Sequence, residues 1–291
     1  MAICHVCFRQ CDINEGGLGF CRARTCKDGK VVADNYGMIT SIAFDPIEKK
    51  PLHRFYPGSI IMSVGSYGCN LRCPFCQNYD ISWSDEAYLM RNQVDEFSPR
   101  DLVAIAKKYK DSGNIGIAYT YNEPLIGYEF VRDTAKLIHE AGMKNVLVTS
   151  GNASLDVLDE IIPYIDAMNI DLKGFTDRYY REVLKGDRKV VMDFISAAVK
   201  ICHVELTTLI VPGENDSEEE IDELSKWIAG LDVGDESARN SFLSGKDIPL
   251  HISRFFPRFK MTDRAATDIG LVYRLADVAR KNLRYVYTGN C

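Results

Sequence analysis

The sequence predicts an α/β fold: a partial (β/α)6-type TIM barrel preceded by a small cysteine-rich N-terminal module. Three observations carry this expectation. From residue 59 to residue 287, short β-rich apolar runs alternate with helical patterns, the ordering of a parallel sheet with right-handed crossovers. About six such βα units suit a barrel or partial barrel better than a two-layer sandwich, although a doubly wound open sheet fits the same alternation. Residues 1–55 stay outside the alternation and hold five of the ten cysteines. They read as one unit, and residues 56–291 as the barrel.

Taken in order, residues 59–64 (SIIMSV) form the first strand. Ser98-Pro99-Arg100-Asp101 opens a helix, with Ser as N-cap, Pro in the first turn and Asp at the third position; it stops near Gly113. Residues 115–119 are a strand, 128–140 a helix, and Gly142 its C-cap. Residues 145–148 are a strand, 155–162 a helix and 167–171 a strand. Helical segments follow over 176–185 and 189–201, with a strand at 204–210. Ser217-Glu218-Glu219-Glu220 reads as a capping box that opens a helix ending near Gly230. The polar stretch 231–247 is a long loop. Residues 249–252 are a strand, 266–281 a helix and 284–287 the last strand.

Composition narrows the class. Hydrophobic residues make up 46% and charged residues 26%, which excludes a disordered or fibrous chain. Lys and Arg number 35 against 41 Asp and Glu, a net charge of -6. A non-specific nucleic-acid binder leans the other way, although a local basic patch leaves nucleic acid open as a partner. No run of about 18 apolar residues exists, so no membrane span is expected. The start Met1-Ala2-Ile3-Cys4-His5 lacks a basic region followed by an apolar one, and the chain is expected to be cytoplasmic. In that reducing compartment, eight cysteines clustered before residue 77 point to metal rather than to disulfides.

The sharpest motif is Ser66-Tyr67-Gly68-Cys69-Asn70-Leu71-Arg72-Cys73-Pro74-Phe75-Cys76. Its C-x3-C-x2-C spacing puts three thiolates on one tight loop. Such a loop can ligate three irons of a [4Fe–4S] cluster, leaving the fourth iron open to a small molecule. Zinc completed by a distant ligand, or three buried structural cysteines, are the blander readings. With an aromatic residue before the last cysteine and a strand before the loop, the motif resembles that of the radical S-adenosylmethionine (SAM) enzymes.

That resemblance implies further polar residues at the C-terminal ends of later strands, where parallel barrels carry their active sites. The chain has Thr120-Tyr121-Asn122-Glu123-Pro124, then Thr149-Ser150-Gly151-Asn152, then Asp171-Leu172-Lys173. Glu205 and Thr207 follow on the fifth strand, and His251, Ser253 and Arg254 on the sixth. Alone, Glu123 could be a helix N-terminal carboxylate, Asp171 and Lys173 a surface pair, and His251 a core histidine. By the resemblance, Cys69, Cys73 and Cys76 hold the catalytic cluster, and Asn122 and Glu123 receive the SAM amino group. Asp171 and Lys173 lie at its methionine end, Thr149, Ser150 and Asn152 line the ribose, and Phe75 and His251 flank the adenine. The implied chemistry is reductive cleavage of SAM to methionine and a 5′-deoxyadenosyl radical that abstracts hydrogen from a substrate. A flavodoxin- or ferredoxin-type protein is the implied electron donor.

Several stretches resemble a narrower branch. Pro46-Ile47-Glu48-Lys49-Lys50-Pro51-Leu52, Tyr56-Pro57-Gly58-Ser59, Cys76-Gln77-Asn78 and Tyr121-Asn122-Glu123-Pro124 are similar to the radical SAM member of the AmmeMemoRadiSam system, itself similar to pyruvate formate-lyase activating enzymes. Two departures leave the substrate open. The extra cysteines precede the barrel, and the usual Gly-Gly-Glu-Pro element is Tyr-Asn-Glu-Pro. A glycine of a glycyl radical enzyme is one candidate; another protein, an RNA or a metabolite is the other. An iron–sulfur electron-transfer protein and a zinc-binding interaction module compete with the enzyme reading.

Cys4, Cys7, Cys11 and Cys21, with Cys26 beyond, fit a second metal site, zinc or an iron–sulfur cluster, although the spacing is not that of bacterial ferredoxins. Free thiols or a labile disulfide are the alternative. Cys202 reads as core and Cys291 as a terminal residue. Arg254-Phe255-Phe256-Pro257-Arg258-Phe259-Lys260 mixes cations and aromatics past a strand end, either to grip a ligand or to pack over the barrel rim. Tyr79, Trp83 and Tyr88 could shield the thiol loop from water.

Overall fold

A computed structural model describes residues 1–235, 239 and 242–291. The main sheet has eight strands: β1 (Ser41–Pro46), β2 (Ile60–Gly65), β3 (Asn114–Tyr119), β4 (Lys144–Thr149), β5 (Ala167–Asp171), β6 (His203–Ile210), β7 (Leu250–Arg254) and β8 (Val286–Gly289). They lie side by side in chain order. β2 to β8 are parallel, and β1 is antiparallel to β2. Among the described residues nothing joins β8 to β1, so the barrel is partial.

Helices α1 (Pro99–Lys108), α2 (Tyr128–Glu140), α3 (Leu155–Ile161), α4 (Arg188–Ala198), α5 (Glu218–Ala229) and α6 (Ile269–Arg280) make the crossovers and cover the outer face. Ile117, Leu147, Ile170, Leu206 and Ile252 are fully buried on the strands; each such side chain contributes about 1.5–3 kcal/mol. Ile47 and Leu52 pack among Ile61, Ala118, Val146 and Ala167 as a second cluster, so residues 47–52 close the N-terminal end of the barrel.

Local chemistry explains most boundaries. Ser98 and Asp101 form the reciprocal cap of α1, and Gly113 turns at φ +92° before β3. At α5 only half of the expected box forms: Ser217 accepts from Glu220 N–H, while the Glu220 carboxylate accepts from Phe175 N–H at 2.5 Å. The last helix starts three residues later than its pattern suggests. Thr267 is taken up by Phe255 N–H and the Ile210 carbonyl, which leaves Asp268 as the N-cap. Residues 176–185 hold a π-helical turn, Tyr179–Leu184. Of the expected loop 231–247, residues 236–238, 240 and 241 lie outside the described residues, and Gly245–Asp247 is a 3-10 turn.

The N-terminal segment is built from small antiparallel ladders, Ala2–Ile3 with Asp12–Ile13 and Arg24–Lys27 with Lys30–Ala33. It is joined to the barrel at many points. Ser154 N–H donates to the Val6 carbonyl at 2.9 Å, and buried Arg24 pairs with Glu129 on α2 at 2.7 Å. Residues 41–46, expected in the separate N-terminal unit, are the edge strand β1 of the main sheet. A lone antiparallel strand carries no βα signature, so periodicity along the chain does not reveal it.

Candidate active site

The loop after β2 and the ends of β3 to β7 enclose a cavity of about 470 Å³ at the C-terminal edge of the sheet. Cys69, Cys73 and Cys76 all line it. Gly68 makes the loop feasible. Its φ is +93°, and a Cβ there would stand 2.5 Å from Ala23 Cβ and 3.0 Å from the Cys21 carbonyl, so only glycine fits without a shift. The thiol loop therefore lies directly on the N-terminal segment. Cys69 N–H donates to the Cys21 carbonyl at 3.2 Å, and Arg9 Nε donates to the Asn70 carbonyl at 3.0 Å.

Burial pushes the Cys69 thiol well above its usual range and the Cys73 thiol up to about 12. Such thiols stay protonated until a bound cation favours the thiolate. Among the described residues no three His, Cys, Asp or Glu side chains are gathered to hold a single metal ion. Three cysteines that share one cavity suit a cluster, which places each ligand on a different iron.

Glu123 is a tightly held polar group of the cavity wall. It is 2% exposed and accepts from Thr149 Oγ1 at 2.6 Å, Ser150 N–H at 2.9 Å, Ser150 Oγ at 2.6 Å and Leu125 N–H at 3.1 Å. Burial raises its pKa despite these donors. Asn122 Nδ2 donates to the Tyr67 and Gly68 carbonyls at 3.2 and 3.1 Å, and Asn122 Oδ1 accepts from Ser66 N–H at 3.2 Å. One side chain thus ties the end of β3 to the thiol loop. Lys173 pairs with Asp171 at 2.7 Å. Burial alone would lower the Lys173 pKa, but the charge and hydrogen bond of Asp171 raise it.

Phe75, Asn122, Glu123, Thr149, Ser150, Asp171 and Lys173 all line the cavity, and Asn152 and His251 do not. Asn152 is a strut: its carbonyl accepts from Asn70 Nδ2 at 2.7 Å, and its Oδ1 accepts from Asp187 N–H at 2.9 Å. His251 points into the barrel near the start of β7. It bonds Glu205 at 2.7 Å, its ring stacked on Tyr287. Glu205 also meets His203 at 3.0 Å and accepts from the backbone N–H groups of His53 and Arg54. The bonds and charges of the two histidines outweigh burial and bring the Glu205 pKa down to about 2. The histidine expected beside the adenine is therefore part of a network beneath the cavity floor, because strand tilt drops an early β7 residue below the rim.

Tyr121 and Ser253, expected at the strand ends, line the cavity too, as do Phe256 and Arg258, and the structure adds Asn78 and Asn290. Arg258 and Phe256 belong to the basic–aromatic stretch, which folds over the thiol loop: Lys260 N–H donates to the Pro74 carbonyl at 2.8 Å. Phe259, at φ +56°, stacks on Tyr79 at 4.3 Å and meets Trp83 edge-on at 5.1 Å. Tyr88 instead lies under the Arg22 and Arg91 guanidiniums. Asn290 had no local signal; it reaches the cavity only because β8 closes the row of strands.

In the N-terminal segment Cys4, Cys7 and Cys21 are buried and Cys11 partly exposed. Cys4 N–H donates to the Cys11 carbonyl at 2.9 Å. The Arg9 pKa is lowered by burial and raised in turn by Cys7, Cys11, Cys69 and Cys21, so this cation lies between the two cysteine groups. Cys26 stands apart, its thiol on Glu15 at 3.4 Å. Cys202 is fully buried. Among the described residues no helix is long and apolar enough to cross a membrane.

Comparison with known proteins agrees with this geometry. Residues 63–227 match the model of the radical SAM superfamily. The chain is 40% identical over 289 residues to the uncharacterized protein MJ0808 of Methanocaldococcus jannaschii, covering 99% of this chain and 80% of that one. It is 27% identical over 168 residues to the pyruvate formate-lyase-activating enzyme of Clostridium pasteurianum, covering 56% of this chain and 67% of that one. The structure of Streptococcus suis SuiB bound to S-adenosylmethionine superposes with a TM-score of 0.55 at 12% identity, covering 78% of this chain and 45% of that one; it shares the fold. With the three-cysteine loop inside the matched region, the chain belongs to the radical SAM superfamily.

Proposed function

We propose that the chain uses a [4Fe–4S] cluster and SAM to abstract hydrogen from a substrate in the manner of the glycyl-radical-activating enzymes. The observation that carries this reading is the common cavity lined by Cys69, Cys73, Cys76 and the Glu123 carboxylate. When bound, the cluster and SAM supply the electron and the 5′-deoxyadenosyl group for that abstraction. The chain's own residues do the rest. Cys69, Cys73 and Cys76 hold three irons. Glu123, fixed by Thr149 and Ser150, receives the SAM amino group. Lys173, poised by Asp171, meets the SAM carboxylate. Phe75, edge-on to Phe255, would flank the adenine. The rim stretch excludes water from the thiol loop.

The similarity to the Clostridium pasteurianum enzyme supports a protein glycine as the substrate and a flavodoxin- or ferredoxin-type electron donor, and the Tyr-Asn-Glu-Pro element supports the AmmeMemoRadiSam branch. Cys4, Cys7, Cys11 and Cys21 would hold the second metal site; since no three of them are gathered for a single ion among the described residues, an iron–sulfur cluster fits them better than zinc. The test is anaerobic: reconstitute with iron and sulfide, reduce with dithionite, add SAM and assay 5′-deoxyadenosine in the wild type and in Cys73→Ala. Product in the wild type alone supports the reading. An intact, reduced cluster that leaves SAM uncleaved with candidate substrates present favours electron transfer instead.

A further inference from the structure

The cavity wall carries two cations without a carboxylate partner among the described residues. Of the charged residues on the wall, Glu123 is held by four donors and assigned to the SAM amino group, and Asp171 is neutralised by Lys173. Arg254 and Arg258 remain. Arg254 Nε donates to the Thr267 carbonyl at 2.8 Å, and Arg258 Nη1 reaches only the Gln77 carbonyl at 3.4 Å. Among the described residues neither has a carboxylate within ion-pair distance.

Arg254 is held by its side chain, and Arg258 is exposed on an ordered turn. Thr267 is fully buried and anchors Arg254 from below, and the Arg254 guanidinium lies 4.8 Å from the centre of the Phe256 ring. Arg258 sits on a tight turn closed by two backbone bonds with Met261, at 3.2 and 3.1 Å. That turn is pinned to the thiol loop through Lys260 N–H and the Pro74 carbonyl. Phe256 is half exposed at the same wall.

We infer that Arg254 and Arg258 form a subsite for an anionic group of the substrate, a phosphate or a carboxylate, with Phe256 against the adjoining apolar portion. Two guanidiniums on one cavity wall, with N–H groups left over among the described residues, match the oxygens of either anion. The same field disfavours a cationic occupant. The subsite rests on the proposed radical chemistry only in that its occupant is the molecule from which hydrogen is taken.

The test is calorimetric titration of the as-isolated protein, at low salt, with sodium pyrophosphate and separately with sodium malonate. At least one is expected to bind at one site per chain, and the tighter of the two identifies the anion as phosphate or carboxylate. Arg258→Gln and Arg254→Gln should each weaken it about tenfold, the usual worth of a charge-assisted hydrogen bond. Arg258→Lys should keep part of the affinity, and Lys107→Gln on α1 should bind as the wild type does. Arg258 is exposed, so its variants stay informative if Arg254→Gln misfolds. The inference is overturned if neither anion binds, if the Arg258→Gln titration matches the wild type, or if SAM displaces the anion competitively, which would make this SAM's own carboxylate subsite. No electron donor enters these titrations, so absence of 5′-deoxyadenosine from the wild type would defeat the radical reading and leave the anion result standing.

Discussion

The Tyr121 hydroxyl donates to Asp45 Oδ2 at 3.0 Å, joining the loop that carries Glu123 to the edge strand β1. Asp45 also accepts from Lys50 Nζ and Ser63 Oγ, both at 2.9 Å, and Lys50 lies 4.8 Å from the centre of the Tyr121 ring. Tyr121 has φ +73°, a conformation that costs a non-glycine residue about 1–2 kcal/mol. Its anchored ring replaces the freedom of the glycine usual at this position. The Pro46–Leu52 motif thereby gains a physical role, since it supplies the lysine that keeps Asp45 charged.

Tyr121→Phe keeps the ring and loses the donor. It is expected to cost about 1.5–3 kcal/mol in urea unfolding and to weaken SAM binding about fivefold by loosening Asn122 and Glu123. Equilibrium dialysis with SAM measures the second effect. Unchanged affinity in a variant that is measurably less stable would mean that the anchor serves folding alone.

Glu123→Gln should separate binding from folding. All four partners of Glu123 are donors, so an amide NH2 turned toward Ser150 leaves at least one of them unsatisfied, at about 1–3 kcal/mol. Thr149→Val removes a donor and costs no more than that. SAM affinity should fall at least about tenfold in Glu123→Gln, which loses the charge, and far less in Thr149→Val. Equal losses in the two would remove Glu123 from direct contact with SAM.

Cys73→Ala should abolish the cluster signal in electron paramagnetic resonance along with 5′-deoxyadenosine. The Cys4→Ala/Cys7→Ala double variant should keep that signal and lose one site's worth of metal by elemental analysis. A double variant with wild-type zinc and iron content would show that the N-terminal thiols hold no metal.

Glu205 sets a pH dependence. Its carboxyl drops from the ordinary 4.5 to about 2 in the folded chain. The unfolded chain therefore takes up the proton first, and the stability due to this group is complete above pH 4.5 and lost as pH falls toward 2. The shift is worth about 3 kcal/mol. Denaturant titrations of the wild type across that window should show the loss, and Glu205→Gln should show a shallower one. Parallel curves would mean that the network with His203 and His251 is already neutral.

Much of the fold was legible because its signals are local. The Tyr128–Glu140 and Ala167–Asp171 elements fall where their periodicities put them, and Ser98 caps α1 with Asp101. The cysteine loop and Glu123, singled out by motif, do come together on one cavity. Reading failed where a residue's role depends on depth. His251 and Ser253 are two apart on one strand, yet only Ser253 lines the cavity. The basic–aromatic stretch could be read as a grip or as a rim loop. It is packed on the rim through Phe259 and Lys260 while Arg254 and Phe256 face the cavity, which no spacing along the chain distinguishes.

The sequence by itself determined the βα order, the thiol loop and the family. Apolar period and cysteine spacing are properties of neighbours along the chain, so they survive without coordinates. Tertiary structure alone decided that β1 closes the edge of the sheet and that Tyr121 leans on Asp45. It alone put Arg9 between two cysteine groups, and Glu205 with its histidines beneath the cavity floor. Those relations join residues up to 152 positions apart, as His53 and Glu205 are. They follow from strand stagger and the packing of distant segments, which local pattern does not encode.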